Sequence, residues 1–200
     1  MNLELMAIAL GAYLIGSFPV GVLAARLAHI EIRSAGSGNI GATNVARTAG
    51  PWLGALTLIF DIGKGALPVL LAGYLVPETR TIDSLGDPQI IAGAAAFAGH
   101  LFPPALGFRG GKGVATALGV ILILAPLLLL LPLVLFLFLV GVTRQVALGS
   151  VTAAITCPLV AQLSGSPAPL VVLLACLGAA ILWRHSSNLA RLRAGTEPRF

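Results

Sequence analysis

Apolar residues gather in long runs, and the polar residues fall between them. The runs are Leu3–Ala28, Pro51–Val76, Gln89–Leu106, Val114–Val142, Val146–Leu163 and Ala168–Trp183. A helix needs roughly 20 such residues to cross about 30 Å of hydrocarbon, so each run is a candidate span. Asp61 and Lys64 interrupt the second run. The fourth run is too long for one ordinary span. As a single helix it would extend on the order of 43 Å. It carries Pro126 and Pro132, so it is either one tilted span or two short ones broken near Pro126.

Charge chooses between these. With one span, Arg144 falls opposite Arg33, Arg47, Arg109 and Lys112. With two, ten of the twelve basic residues share one side. Lys64 is left within a span, and Arg80 lies opposite beside Glu78, Asp83, Asp87 and Glu4. That asymmetry fits the positive-inside rule. The expectation is an all-α integral membrane protein of seven transmembrane helices, with the N-terminus outside and the C-terminus cytoplasmic. No boundary divides it, so residues 1–200 are read as one polytopic membrane domain. Trp52 and Trp183 fall at cytoplasmic helix ends, where interfacial anchors belong.

Composition agrees. Hydrophobic residues make up 58% and charged residues 10%, against roughly 45–50% and 25% in soluble domains. Disorder is excluded, and so few charges could not cover a soluble surface. The net charge of +5 would suggest nucleic acid in a soluble protein; here it is topology, and no basic patch with interleaved aromatics occurs. No basic segment precedes the first apolar run, which is therefore expected to be retained rather than cleaved. Cys157 and Cys176 lie inside apolar runs with no partner at metal-ligand spacing, so neither a disulfide framework nor a zinc site is indicated.

The unusual polar residues collect on the cytoplasmic side. The first loop, Ser34-Ala-Gly-Ser-Gly-Asn-Ile-Gly-Ala-Thr-Asn-Val-Ala-Arg47, combines glycines with Ser37, Asn39, Thr43, Asn44 and Arg47. Such glycines, Gly38 among them, let a backbone approach a ligand and offer N–H groups to an anion. In the second loop, Gly110-Gly111-Lys112-Gly113 opens a helix that carries Thr116, after His100 and Arg109. A glycine-rich turn with a lysine at a helix N-terminus suits a phosphate. It is not a nucleotide-binding P-loop, which would need Gly in place of Leu106 and Ser or Thr in place of Gly113. Asp61 and Lys64 share a helix face inside a span, where ionisable residues are costly; they either pair or face a substrate. Arg144 and Ser150 mark a third inner boundary. In the tail, His185 and Asn188 share a face if the last helix continues. The whole is a phosphate site with few carboxylates and no aspartate-rich magnesium site. No histidine is followed five residues later by aspartate, which removes the usual motif of the soluble-domain glycerolipid acyltransferases.

The runs Gly36–Arg47, Phe60–Gly65, His100-Leu-Phe-Pro103 and Phe108–Thr116 resemble, in order, the motifs of the bacterial acyl-phosphate:glycerol-3-phosphate acyltransferases, the PlsY family. Arg144–Ser150 and His185–Glu197 resemble its later motifs; Gln145 stands where an aromatic residue is frequent. The resemblance implies acyl transfer from a long-chain acyl phosphate to the 1-hydroxyl of glycerol 3-phosphate. That gives lysophosphatidic acid and phosphate, the first acylation of phospholipid biosynthesis. It implies no metal and no cofactor, a cytoplasm-facing site in the bacterial inner membrane, membrane lipid around it, and a functional link to the enzyme that makes acyl phosphate. The residues expected to act are Ser37, Asn39, Arg47, Lys64, His100, Ser150, His185 and Asn188. Gly38, Asn44, Gly110, Gly111, Lys112, Gly113, Thr116 and Arg144 are expected to hold phosphate. His100, His185, Asp61 and a substrate phosphate all stand open as general base. The competing reading is a transporter or channel for a small phosphorylated anion, which would need a midplane site reachable from both sides.

Overall fold

A computed structural model describes residues 3–76, 82 and 84–199. Among them are ten α-helices and no strand: α1 (Leu3–Gly16), α2 (Val20–Leu27), α3 (Ala42–Ala49), α4 (Pro51–Leu75), α5 (Pro88–Leu101), α6 (Val114–Leu124), α7 (Leu130–Thr143), α8 (Val146–Leu163), α9 (Ala168–Arg184) and α10 (Ser186–Arg193). Glu78, Arg80 and Asp83, the charges expected on the outer face, lie outside the described residues, as does half of the Pro77–Pro88 loop. Five segments are long and apolar enough to cross a membrane: Leu3–Leu27, Pro51–Leu75, Pro88–Leu106, Pro126–Thr143 and Val146–Leu163. A sixth is α9 with α10, if the 60° bend between them falls within one span. Helix α6 is apolar but shorter.

The long fourth run breaks where proline dictates. Pro126 has no N–H to continue a helix and pushes the preceding residue out of helical conformation. Helix α6 accordingly stops at Leu124, Ala125 is extended (φ −159°, ψ 71°), and Pro126–Leu129 form a 3₁₀ turn. Pro132 sits in the first turn of α7, where a missing N–H costs little. Lys112, just before α6, and Gln145, just past the end of α7, are joined through Asn188 and Glu197 at one end of the bundle. The chain therefore reverses at the break. The first run also breaks at a proline, Pro19, between α1 and α2.

Small residues hold the helices close. A Cβ on Gly16 would lie 2.0 Å from the Ala96 carbonyl oxygen, and one on Gly99 would lie 2.2 Å from that of Tyr13. This reciprocal pair brings α1 against α5. Gly65 and Gly119 do the same for α4 and α6, facing the carbonyls of Thr116 (2.1 Å) and Ile62 (2.0 Å). In a bilayer, where lipid competes equally for apolar side chains, such backbone approach is what binds helices. At α5, Asp87 caps the N-terminus, accepting from the Gln89 and Ile90 amides at 2.8 and 3.4 Å. The α2–α3, α5–α6, α7–α8 and α9–α10 junctions converge at one end of the bundle and build the site.

Candidate active site

The site is two joined cavities. The larger, about 770 Å³, has a polar head walled by Ser37, Asn39, Arg47, Lys112, Ser150, His185 and Asn188. It continues as an apolar gallery between α6, α7, α8 and α9, past Ile121, Phe136, Ala154, Cys157 and Leu177. The smaller, about 430 Å³, is a cationic annexe walled by Arg33, Arg109, Lys112, Arg184 and Arg191. Ser37, Asn39, Lys112, Asn188 and Arg191 border both.

Asn44 organises the first loop from within. It is buried, and its Oδ1 accepts from the Ser37 amide (2.9 Å) while its Nδ2 donates to the carbonyls of Ala35 (3.0 Å) and Asn39 (2.8 Å). Its hydrogen-bonding capacity is largely spent on the loop, so its visible role is to shape that loop. Asn39 Oδ1 accepts from the Gly41 amide at 2.8 Å, which leaves its NH₂ for a ligand. Gly38 adopts φ +70°, beside the Arg33 carbonyl.

The glycine turn binds in a different way from the one its sequence suggests. The Gly110 and Gly111 amides donate to the α5 carbonyls of Leu101 (2.9 Å) and His100 (3.2 Å). Their own carbonyls accept from Arg184 Nη2 (2.5 Å) and Nε (3.0 Å). These two glycines are therefore a clamped hinge, and the cation of this turn is Lys112. Gly113, at φ +86°, packs on Phe97, where a Cβ would lie 2.3 Å from the ring. Only glycine fits there. Lys112 Nζ donates to Asn188 Oδ1 at 2.5 Å, at the junction of the two cavities. Burial pushes Lys112 down to about 8, with the Glu197 carboxylate pulling the other way. The cation is thus present below about pH 8 and lost above it. The expected result is a kcat/KM level at neutral pH and falling about tenfold per pH unit above 8, a limb that Lys112→Arg removes.

Two polar side chains on adjacent helices face the head. Ser150 donates to the Val146 carbonyl (2.9 Å), which leaves its lone pairs as acceptors. His185 Nδ1 lies 2.8 Å from the Ile181 carbonyl and must donate to it, so Nε2 is the acceptor. Both residues are buried.

Asp61 and His100 reach the cavity, but Lys64 does not. Lys64 pairs with Asp61 at 2.8 Å and donates to the Phe18 carbonyl (3.1 Å), beside the break at Pro19. Its charge ties α4 to the α1–α2 kink. His100 Nδ1 stands 3.9 Å from Asp61, beyond hydrogen-bond reach, and has no partner among the described residues. Thr116 is buried at the α4–α6 crossing and Arg144 is an exposed αL cap of α7 (φ 57°); neither borders either cavity. Sequence reasoning missed Arg184 and Glu197 as site residues. For Glu197 a signal existed: it is the only carboxylate after Asp87, in a tail of arginines.

Comparison with known proteins gives one answer. The sequence model of the glycerol-3-phosphate acyltransferase family matches residues 6–195. The glycerol-3-phosphate acyltransferase of Geobacter metallireducens is 50% identical over 202 residues, covering 100% of this chain and 99% of that one. That of Myxococcus xanthus is 44% identical over 195 residues, covering 97% and 98%. Crystal structures of PlsY, an integral membrane glycerol 3-phosphate acyltransferase, are equally similar in fold. The glycerol 3-phosphate form superposes with a TM-score of 0.91 at 38% identity, covering 98% of this chain and 96% of that one. The lysophosphatidic acid form gives 0.88 at 37%, covering 98% and 95%. This all-helical integral membrane protein therefore belongs to the glycerol-3-phosphate acyltransferase family.

Proposed function

We propose that the protein moves a long-chain acyl group from acyl phosphate to the 1-hydroxyl of glycerol 3-phosphate. One observation carries the reading: a polar head walled by Arg47, Lys112 and Arg191 opens directly into an apolar gallery within the bundle. The gallery suits an acyl chain, and the head with its annexe offers cations for two phosphates. The hydroxyl oxygen attacks the acyl carbon, the bond from that carbon to the phosphate oxygen breaks, and inorganic phosphate departs. The hydroxyl proton passes to the departing phosphate, directly or by way of His185 Nε2. Cations and N–H groups already in place neutralise two anions and the oxyanion between them. Holding hydroxyl and carbonyl in register supplies much of the remaining rate.

In this reading Ser37, Asn39, Arg47, Lys112, Ser150, His185 and Asn188 meet the substrates, and no metal or cofactor takes part. Gly38, Asn44, Lys64, Gly110, Gly111, Gly113, Thr116 and Arg144 build the frame, and His100 lies at its wall beside Asp61. The chain is a single domain crossing the bacterial inner membrane seven times, with its N-terminus outside and the site facing the cytoplasm. The reversal at Ala125–Pro126 and the ten basic residues of one side support this count and orientation. Lysophosphatidic acid is then released beside membrane lipid, and an acyl-phosphate-forming enzyme must supply the donor.

The test is purified protein in detergent with both substrates. Phosphate and lysophosphatidic acid are expected in equal amounts, and only when both substrates are present. Phosphate release without glycerol 3-phosphate, or none at all, overturns the reading.

A further inference from the structure

Glu197 is brought back to the site by a built turn. Just past the end of α10 at Arg193, Gly195 has a φ of +70° that lets the chain reverse, and the Thr196 amide closes on the Arg191 carbonyl at 2.9 Å. Glu197 is then 7% exposed in the wall of the larger cavity. Its Oε1 accepts from Asn188 Nδ2 at 2.6 Å and its Oε2 from Arg191 Nε at 2.8 Å. Gln145 Nε2 donates to the Glu197 carbonyl (3.5 Å) and Arg47 Nη2 to that of Pro198 (3.3 Å), which pins the segment against α8 and α3.

We propose that Glu197 is a positioning residue: its carboxylate orients Asn188 and Arg191 and is the counter-charge that keeps the Lys112–Asn188–Arg191 cluster assembled before a substrate phosphate arrives. The proposal rests on the acyl-transfer reading of this site. An amide has one donating and one accepting end. With Nδ2 committed to Glu197, Asn188 must turn Oδ1 to Lys112. Without the carboxylate that choice is lost. The charges around Lys112 make the same point. Arg47 faces it from α3, Arg184 and His185 from the end of α9, and Arg191 from α10. Asp61 and His100 of α4 and α5 line the same cavity, but Asp61 is engaged with Lys64. Glu197 is the opposing charge that acts on Lys112. An incoming phosphate brings its own negative charge and joins a cluster already in place.

Three variants separate this from a merely structural tail contact. Glu197→Gln keeps the size and removes the charge, Glu197→Asp keeps the charge, and Glu197→Ala removes both. The Gln and Ala variants are expected to lose about 30-fold in kcat/KM for glycerol 3-phosphate. Removing the carboxylate also lets the Lys112 proton leave more easily, so the alkaline limb moves about one pH unit lower. Glu197→Asp restores its position. A structural role would lower the melting temperature and leave the limb where it is. Binding of inorganic phosphate, followed by thermal shift, weakens in Glu197→Gln whether or not turnover occurs. Failure of the wild type to turn over would therefore strike the proposed reaction and not this inference. A limb and a phosphate affinity both unchanged in Glu197→Gln would overturn the inference. If Glu197→Ala does not fold, the Gln and Asp variants decide.

Discussion

Lys112→Ala is expected to lower kcat/KM for acyl transfer on the order of 10²–10³-fold, the range for losing one preorganised donor at a developing charge. The lysine borders both cavities, so each loses a cation from its wall. A rise in KM for glycerol 3-phosphate is expected together with a fall in kcat. The fold tolerates the change, because the ammonium makes one hydrogen bond, to Asn188. Steady-state kinetics on protein with an unshifted melting temperature are the measurement. A loss below tenfold would sink the assignment of this turn to phosphate.

Gly65→Val is expected to destabilise the fold strongly. The first carbon of any side chain at Gly65 would stand 2.1 Å from the Thr116 carbonyl, and that carbonyl belongs to helix backbone that cannot step aside alone. Helices α4 and α6 must separate, which also breaks the reciprocal contact of Gly119 with Ile62. Overpacking of this kind costs about 1–3 kcal/mol and sometimes more; with the backbone as obstacle the upper end applies. Gly63, two residues earlier, has nothing within 4 Å of its would-be Cβ, so Gly63→Ala is expected to be silent. Melting temperatures in detergent check the pair. Equal stability of the two variants would mean that α4 and α6 do not depend on close approach.

Those two glycines look alike in sequence, which shows what a sequence can and cannot disclose. The break at Pro126 was legible because proline acts on its own backbone. The gathering of the polar loops at one end was legible because charge asymmetry orders the helix ends. Direction and saturation were not. Lys64 and Lys112 are both lysines beside glycine, yet one is consumed by Asp61 and a kink carbonyl while the other borders both cavities. Gly110 and Gly111 suggest free amides, but the last turn of α5 takes both. Asn44 suggests a ligand, but the loop's own backbone occupies it. For the two glycines and Asn44 the deciding partners are main-chain groups, and for Lys64 a main-chain carbonyl 46 residues away joins the Asp61 carboxylate.

The contact of Arg47 with the Pro198 carbonyl joins residues 151 positions apart. It sets a schedule for synthesis. The first loop is made early in translation, while the carboxylate and carbonyls that complete the wall around it follow only after the last apolar run. A nascent chain with every apolar run already inserted still lacks that wall, so the pocket is closed only once residues 197 and 198 have been made and folded back.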